Sequence, residues 1–230
     1  IDGVAHRYQV FVPARATRTD DGTAPVILFL HGSGERGDDG AKPTMAGLGP
    51  YVRGHAQTFP AIVVFPQAPE DSEWMGGNLR MAMAMLDTAT REFDGDTKRT
   101  YLTGMSMGGY GTWELAWQFP QRFAALVPVC GAVEQLSSER ALYVTPVAGK
   151  ADPYSAIAAR LRDVPIWMFH GARDDVVSPE DDRLLAAAFK KARAKDARYT
   201  EFSDANHNAW DPAYSQTPEL WTWLFAQKHP

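Results

Sequence analysis

Four short runs of nearly continuous apolar residues constrain this chain more than any other feature: residues 26–30, 61–65, 123–129 and 164–169. A strand exposed on one face alternates apolar and polar side chains, whereas a strand covered on both faces does not. Between these runs lie stretches with helical spacing. Leu79, Ala82, Met83, Leu86, Thr90 and Phe93 share one face of a helix over residues 79–93. Residues 110–119, 154–161, 179–194 and 217–227 read the same way, with Asp152-Pro153 and Pro179 as start signals. Residues 7–12 and 198–202 alternate, as half-exposed strands do. Strands alternating with helices predict an α/β fold, a mostly parallel central sheet with helices on both faces. The chain holds no internal repeat, low-complexity segment or linker, so residues 1–230 are expected to form a single domain.

One turn in this pattern carries chemistry. Residues 99–103 read as a strand, and Gly104-Met105-Ser106-Met107-Gly108-Gly109 leads from it into a helix. A G-x-S-x-G turn between strand and helix is the context of a nucleophile elbow. The glycines relieve crowding where the two arms pass close together, and Ser106 stands exposed at the helix head.

A serine hydroxyl needs a base, and the base needs an acid that fixes its tautomer. In a parallel sheet these groups lie beyond the C-terminal ends of strands. Of six histidines, His6 and His229 lie at the termini, and His55 lies in a Gly/Pro-rich loop that no strand feeds. His31 and His170 each end a buried strand directly before a glycine, and shaping a turn is their expected role. His207 follows the last strand in a polar loop and is the expected base. Asp174 and Asp175, in the loop after residues 164–169, are both candidates for the acid. Ser, Asp, His is the chain order of the α/β-hydrolase triad. Attack on an acyl carbon also needs two backbone N–H groups for the oxyanion. Met107 supplies one, and Ser33, in the glycine-rich loop His31-Gly32-Ser33-Gly34, is expected to supply the other. No G-K-[ST] follows that loop, which excludes a P-loop.

Composition removes other classes. A net charge of −5 carries no nucleic-acid footprint. The single cysteine, Cys130, permits no intrachain disulfide, and no Cys/His spacing suits zinc. No apolar run is long enough to cross a bilayer, so no membrane insertion is expected. The chain opens on Ile1 with no signal segment, so a mature form or trimmed domain is the expectation; the compartment is left open, with a secreted or periplasmic form whose N-terminal segment is absent from this chain as one reading.

Taken together, Leu30 to Gly37, Gly104 to Gly109, His170 to Val177 and then His207 resemble the α/β-hydrolases. Within that superfamily the chain is similar to compact esterases: phospholipase/carboxylesterases, dienelactone-hydrolase-like proteins, and feruloyl-esterase and polyhydroxybutyrate-depolymerase relatives. The H-G-x-x-D-x-x-V pattern of that group implies Asp174 rather than Asp175 as the acid. The resemblance also implies Ser33 and Met107 as oxyanion donors, and an open cleft, since the segment between Cys130 and Val164 is too short for a lid domain. A serine stands where dienelactone hydrolases carry cysteine, which argues against that chemistry. Trp74 and Trp210 are candidate substrate-binding walls of the cleft. The expected activity is that of a serine carboxylesterase acting on short-chain acyl or aryl esters of small molecules, with no metal and no cofactor. The alternatives are a serine peptidase on the same fold and a non-catalytic hydrolase-like binding module.

Overall fold

A computed structural model of the chain describes residues 5–17, 19 and 21–229. Ile1 and residues 18 and 20 of the polar loop after the first strand lie outside the described residues. Among the described residues, seven strands build one sheet: β1 (Tyr8–Phe11), β2 (Ala24–Leu30), β3 (Ile62–Pro66), β4 (Gly95–Met105), β5 (Ala125–Val129), β6 (Ile166–Gly171) and β7 (Ala197–Phe202). Their order is β1-β3-β2-β4-β5-β6-β7, with β1 antiparallel to β3 and the other pairs parallel. The helices are α1 (Leu48–Gly54), α2 (Gly76–Glu92), α3 (Met107–Gln118), α4 (Pro153–Leu161), α5 (Glu180–Lys191), α6 (Trp210–Ser215) and α7 (Pro218–Ala226). This is the α/β-hydrolase architecture.

The continuous apolar runs follow from two cores, one on each side of the sheet. Val26, Leu28 and Leu30 of β2 point into the core covered by α2, α3, α4 and α5. Ile27 and Phe29, one residue out of phase, point into the core covered by α1, α6 and α7. All five are completely buried. Each such side chain contributes about 1.5–3 kcal/mol, which a polar residue in either phase would forfeit.

The chain leaves β2 for β3 on one side and returns to β4 on the other. The order of strands therefore reverses at the β2/β4 boundary. Crevices open beyond the C-terminal ends of strands at such a point. Here the loop after β2 carries Ser33, and the loop after β4 carries Ser106.

Two elements differ from the sequence reading. The region around residues 48–54 forms α1, because Pro50 lies in the first helical turn, where its missing N–H costs nothing. The segment read as a loop over residues 203–214 contains the start of α6, whose Ala213 and Tyr214 seal the second core. The excursion between β5 and α4 carries a single 3-10 turn, Thr145–Val147, and is no separate lid. The buried carboxylate of Glu114 on α3 ties it down, accepting from the N–H and hydroxyl of Thr145 at 2.6 Å each.

Candidate active site

Ser106 occupies the turn between β4 and α3 with φ 54° and ψ −119°. A positive φ costs a non-glycine residue on the order of 1–3 kcal/mol, so the surroundings must impose it. They do so by proximity. A Cβ on Gly108 would collide with the carbonyl of Leu30 at the end of β2, and one on Gly104 would collide with the carbonyl of Gly108. Only glycine at both positions lets α3 start directly against the sheet. The Ser106 N–H donates to the carbonyl of Val129 at 2.9 Å, pinning the turn to the end of β5.

The loops after β6 and β7 bring the partners to this turn. His207 Nε2 lies 2.9 Å from Ser106 Oγ, and His207 Nδ1 lies 2.7 Å from Asp174 Oδ2. Gly171 makes the approach possible, because a Cβ there would strike the carbonyls of Ala205 and Asn206 in the His207 loop. Asp175 is exposed, whereas the Asp174 side chain is fully buried. The Asp174 Oδ1 atom accepts from the N–H groups of Val176 and Val177, at 2.9 Å each. Burial raises the carboxyl's pKa. Bonds from His170, His207 and these two N–H groups outweigh it and hold Asp174 well below the usual carboxylate range. An ionised Asp174 can only accept, so His207 Nδ1 carries a proton and Nε2 presents its lone pair to the Ser106 hydroxyl.

Beside Ser106 lies the loop after β2. A Cβ placed on Gly32 would sit 3.6 Å from Ser106 Cβ. Ser33 opens a 3-10 turn and Met107 opens α3, so the N–H of each lacks an intrahelical acceptor. Neither donates a backbone–backbone hydrogen bond among the described residues. The loop is braced from below by His31. Its Nδ1–H donates to the carbonyl of Gly32 at 2.6 Å, and its Nε2 accepts from the N–H of Ala68 at 3.0 Å. Burial pushes this imidazole down to about 4, so the ring is neutral and this tautomer is fixed.

The two tryptophans separate. Trp210 is half-buried, with its ring edge-on to that of His207 at a centroid distance of 5.5 Å, so it flanks the base. Trp74 does not line the cleft. It is 1% exposed, its indole N–H donates to the carbonyl of His31 at 2.9 Å, and its ring packs on that histidine. It supports the Ser33 loop from the core.

Sequence reasoning missed two further contributions. Arg140, from the excursion, donates to Ser33 Oγ at 2.7 Å while paired to Glu73 through two bonds of 2.8 Å. His170, expected to shape a turn, lies 3.1 Å from Asp174 Oδ2. Its signal was visible as a histidine four residues before the acid. Among the described residues, no group of three or more His, Cys, Asp and Glu side chains is arranged to hold a metal ion, and no helix is long and apolar enough to cross a membrane.

Residues 72–229 match the sequence profile of the prolyl oligopeptidase family. The chain belongs to that family. The matched stretch contains Ser106, Asp174 and His207, and it omits β2 and the Ser33 loop. Likeness to proteins named as esterases accompanies membership of the prolyl oligopeptidase family. A bifunctional acetylxylan esterase/xylanase of Neocallimastix patriciarum is 26% identical over 166 residues, which cover 67% of this chain and 20% of that protein. An acyl-protein thioesterase 1 homolog of Dictyostelium discoideum is 22% identical over 156 residues, 68% of this chain and 63% of that one. The solved structure of a thermostable esterase superimposes with a TM-score of 0.76 at 29% identity, covering 95% of this chain and 58% of that one. The chain thus spans less than two thirds of the length of each of these three relatives.

Proposed function

We propose that the protein is a serine carboxylesterase. The observation that carries this reading is the continuous relay of 2.9 and 2.7 Å from Ser106 through His207 to Asp174, beside two unengaged N–H groups. In the acylation step His207 Nε2 takes the Ser106 proton as Oγ attacks the ester carbonyl carbon. The carbonyl oxygen gains negative charge and moves toward the N–H groups of Ser33 and Met107. Collapse of the tetrahedral intermediate breaks the bond to the alkoxy oxygen, and the imidazolium returns the proton to the departing alcohol. Water, deprotonated by the same imidazole, attacks the acyl carbon; the bond to Ser106 Oγ breaks, the acid departs, and the imidazolium returns its proton to Oγ. Asp174, already ionised, stabilises the imidazolium in both halves.

A cavity of about 360 Å³ lies beside Asp174, between the excursion and the loop after β6, bordered by Tyr110, Leu136, Val176 and Val177 and by the acids Glu134, Asp175 and Asp181. Its size and acidic rim support a short acyl group over a long one. Tyr110 stands one helical turn beyond Ser106. A larger cavity of about 510 Å³ under the excursion, lined by Val133, Tyr143 and Pro153, includes no residue of the relay and carries no part of this reading.

The test is turnover of p-nitrophenyl acetate, butyrate and octanoate, methyl ferulate and a peptide p-nitroanilide by the wild type and Ser106→Ala. Ester turnover that falls on lengthening the acyl chain and vanishes in the variant is the expected result. Equal rates in both proteins, or anilide turnover exceeding ester turnover, refute it.

A further inference from the structure

The acid of the relay has a neighbour that the reaction above leaves unused. His170, at the end of β6, is completely buried. Its Nδ1 lies 2.8 Å from Asp182 Oδ2, and its Nε2 lies 3.0 Å from the carbonyl of Val177 and 3.1 Å from Asp174 Oδ2. A neutral imidazole offers one donor and one acceptor, and this ring faces the Val177 carbonyl, Asp174 and Asp182. Burial pushes the Asp182 carboxyl up, while the bond and charge of His170 pull it down. With Asp182 ionised, a ring so placed needs a proton on each nitrogen. Asp182, on the first turn of α5, is itself completely buried. Among the described residues its Oδ1 has no hydrogen-bond partner.

We propose that His170 and Asp182 extend the relay as a buried positioning pair: His170 is an imidazolium that Asp182 keeps charged, and it holds Asp174 ionised with Oδ2 aimed at His207. The inference rests on the esterase reading and goes beyond it by adding two residues that touch neither substrate nor nucleophile. Oδ2 of Asp174 receives both imidazoles, at 2.7 Å from His207 and 3.1 Å from His170. The His207 bond and the ion-pair contact with His170, whose Nε2–H also serves the Val177 carbonyl, hold Oδ2, while the Val176 and Val177 N–H groups fix Oδ1.

The other titratable groups around His170 leave this charge in place. Glu201, its register partner on β7, is bound by Arg183 at 2.8 and 2.9 Å and by the Tyr199 hydroxyl. Asp181, beside Asp182, accepts from the N–H groups of Val133 and Glu134 and from the Tyr154 hydroxyl. Tyr110 on α3 and Cys130 after β5 are both pushed up by burial and stay neutral. Burial opposes a charge on His170, but the bonds to Asp174 and Asp182 overcome it and carry the ring up to about 10.

Removing the positive charge next to Asp174 is expected to shift the acid limb of the kcat/KM profile upward. Two measurements test the pair. In the full-length wild type labelled with 15N-histidine, the ring resonances lost in His170→Gln are expected to show both nitrogens protonated at pH 8.5. In p-nitrophenyl acetate hydrolysis, His170→Gln is expected to lose at least tenfold in kcat with KM changed less than twofold, and to raise the acid limb. A purely structural role would lower Tm and leave the limb where it was. An unchanged limb in a folded variant overturns the proposal, as does a ring with one bare nitrogen at pH 8.5. Should His170→Gln not fold, Asp182→Asn takes its place, and loss of one ring proton below pH 9 supports the pair. Absence of any ester turnover by the wild type would end the esterase reading by itself, and the ring protonation would still decide the inference.

Discussion

Replacing Ser106 with glycine is expected to give a more stable protein than replacing it with alanine. Both substitutions remove the hydroxyl and its contact with His207, so that loss cancels in the comparison. What remains is the backbone at φ 54°, ψ −119°. Alanine must bear the strain of that conformation, on the order of 1–3 kcal/mol. Glycine avoids it but loses about 0.5–1 kcal/mol more chain entropy on folding. The difference favours glycine by about 1 kcal/mol, where most positions favour alanine. For a chain of 230 residues this corresponds to a Tm higher by roughly 2–4 °C. Thermal unfolding of the two inactive proteins at pH 7, with urea titration as a second measure, reads it directly. An alanine variant as stable as the glycine variant, or more so, would show that the turn relaxes when the hydroxyl leaves. The steric account built on Gly104 and Gly108 would then be wrong.

Other expectations follow from the same contacts. Asp174→Asn should cost about 10³–10⁴ in kcat, and Asp175→Asn less than twofold, in the same ester assay. Arg140→Ala frees the Ser33 hydroxyl and is expected to lower kcat/KM several-fold without moving Tm by more than a few degrees. Glu114→Ala strands the N–H of Thr145 and loosens the excursion. A loss of about 2–3 kcal/mol in urea unfolding, together with faster proteolysis near residue 145, is the expected outcome. The two buried histidines should bracket the pH of maximum stability with opposite signs. His31 titrates near 4 when folded and about 6.5 when unfolded, so its contribution is present above 6.5 and lost as pH falls toward 4. His170 titrates near 10 when folded, so its contribution is present below 6.5 and lost as pH rises toward 10. Each is worth on the order of 3–5 kcal/mol. A flat stability curve between pH 5 and 9 would contradict both assignments.

The strands and the relay were legible in the sequence for one reason. Residues buried on both faces of a sheet cannot alternate, and a serine hydroxyl, an imidazole and a carboxylate must all lie past strand ends. Those two constraints act on single residues and neighbours along the chain. The choice between Asp174 and Asp175 was not legible from chemistry, because adjacent side chains diverge and either could have faced inward. Trp74 was misread because a tryptophan near a glycine-rich loop looks the same whether its ring meets substrate or, as here, His31 from the core side. Short α1 and α6 were missed because a helix of six or seven residues has too few turns to show a period.

Asp182 marks the deeper limit. It stands in Glu180-Asp181-Asp182 at the start of α5, where acids complement the helix dipole and ordinarily face water. Nothing in composition distinguishes three solvated acids from one solvated, one accepting from two backbone N–H groups, and one sealed against His170. The difference is the rotation of α5 about its axis, which the apolar residues Leu185, Ala188 and Phe189 set by seeking the core. Asp182 lies three residues before Leu185, on the same face, so burying that face buries the carboxylate with it. A buried acid cannot stay charged alone, and the nearest group able to carry the compensating proton is His170. On the proposed assignment, the hydrophobic stripe of α5 thereby sets the charge behind Asp174. A substitution that turned the helix, such as Leu185→Lys, should disturb the acid limb of the pH profile from a position that touches no member of the relay.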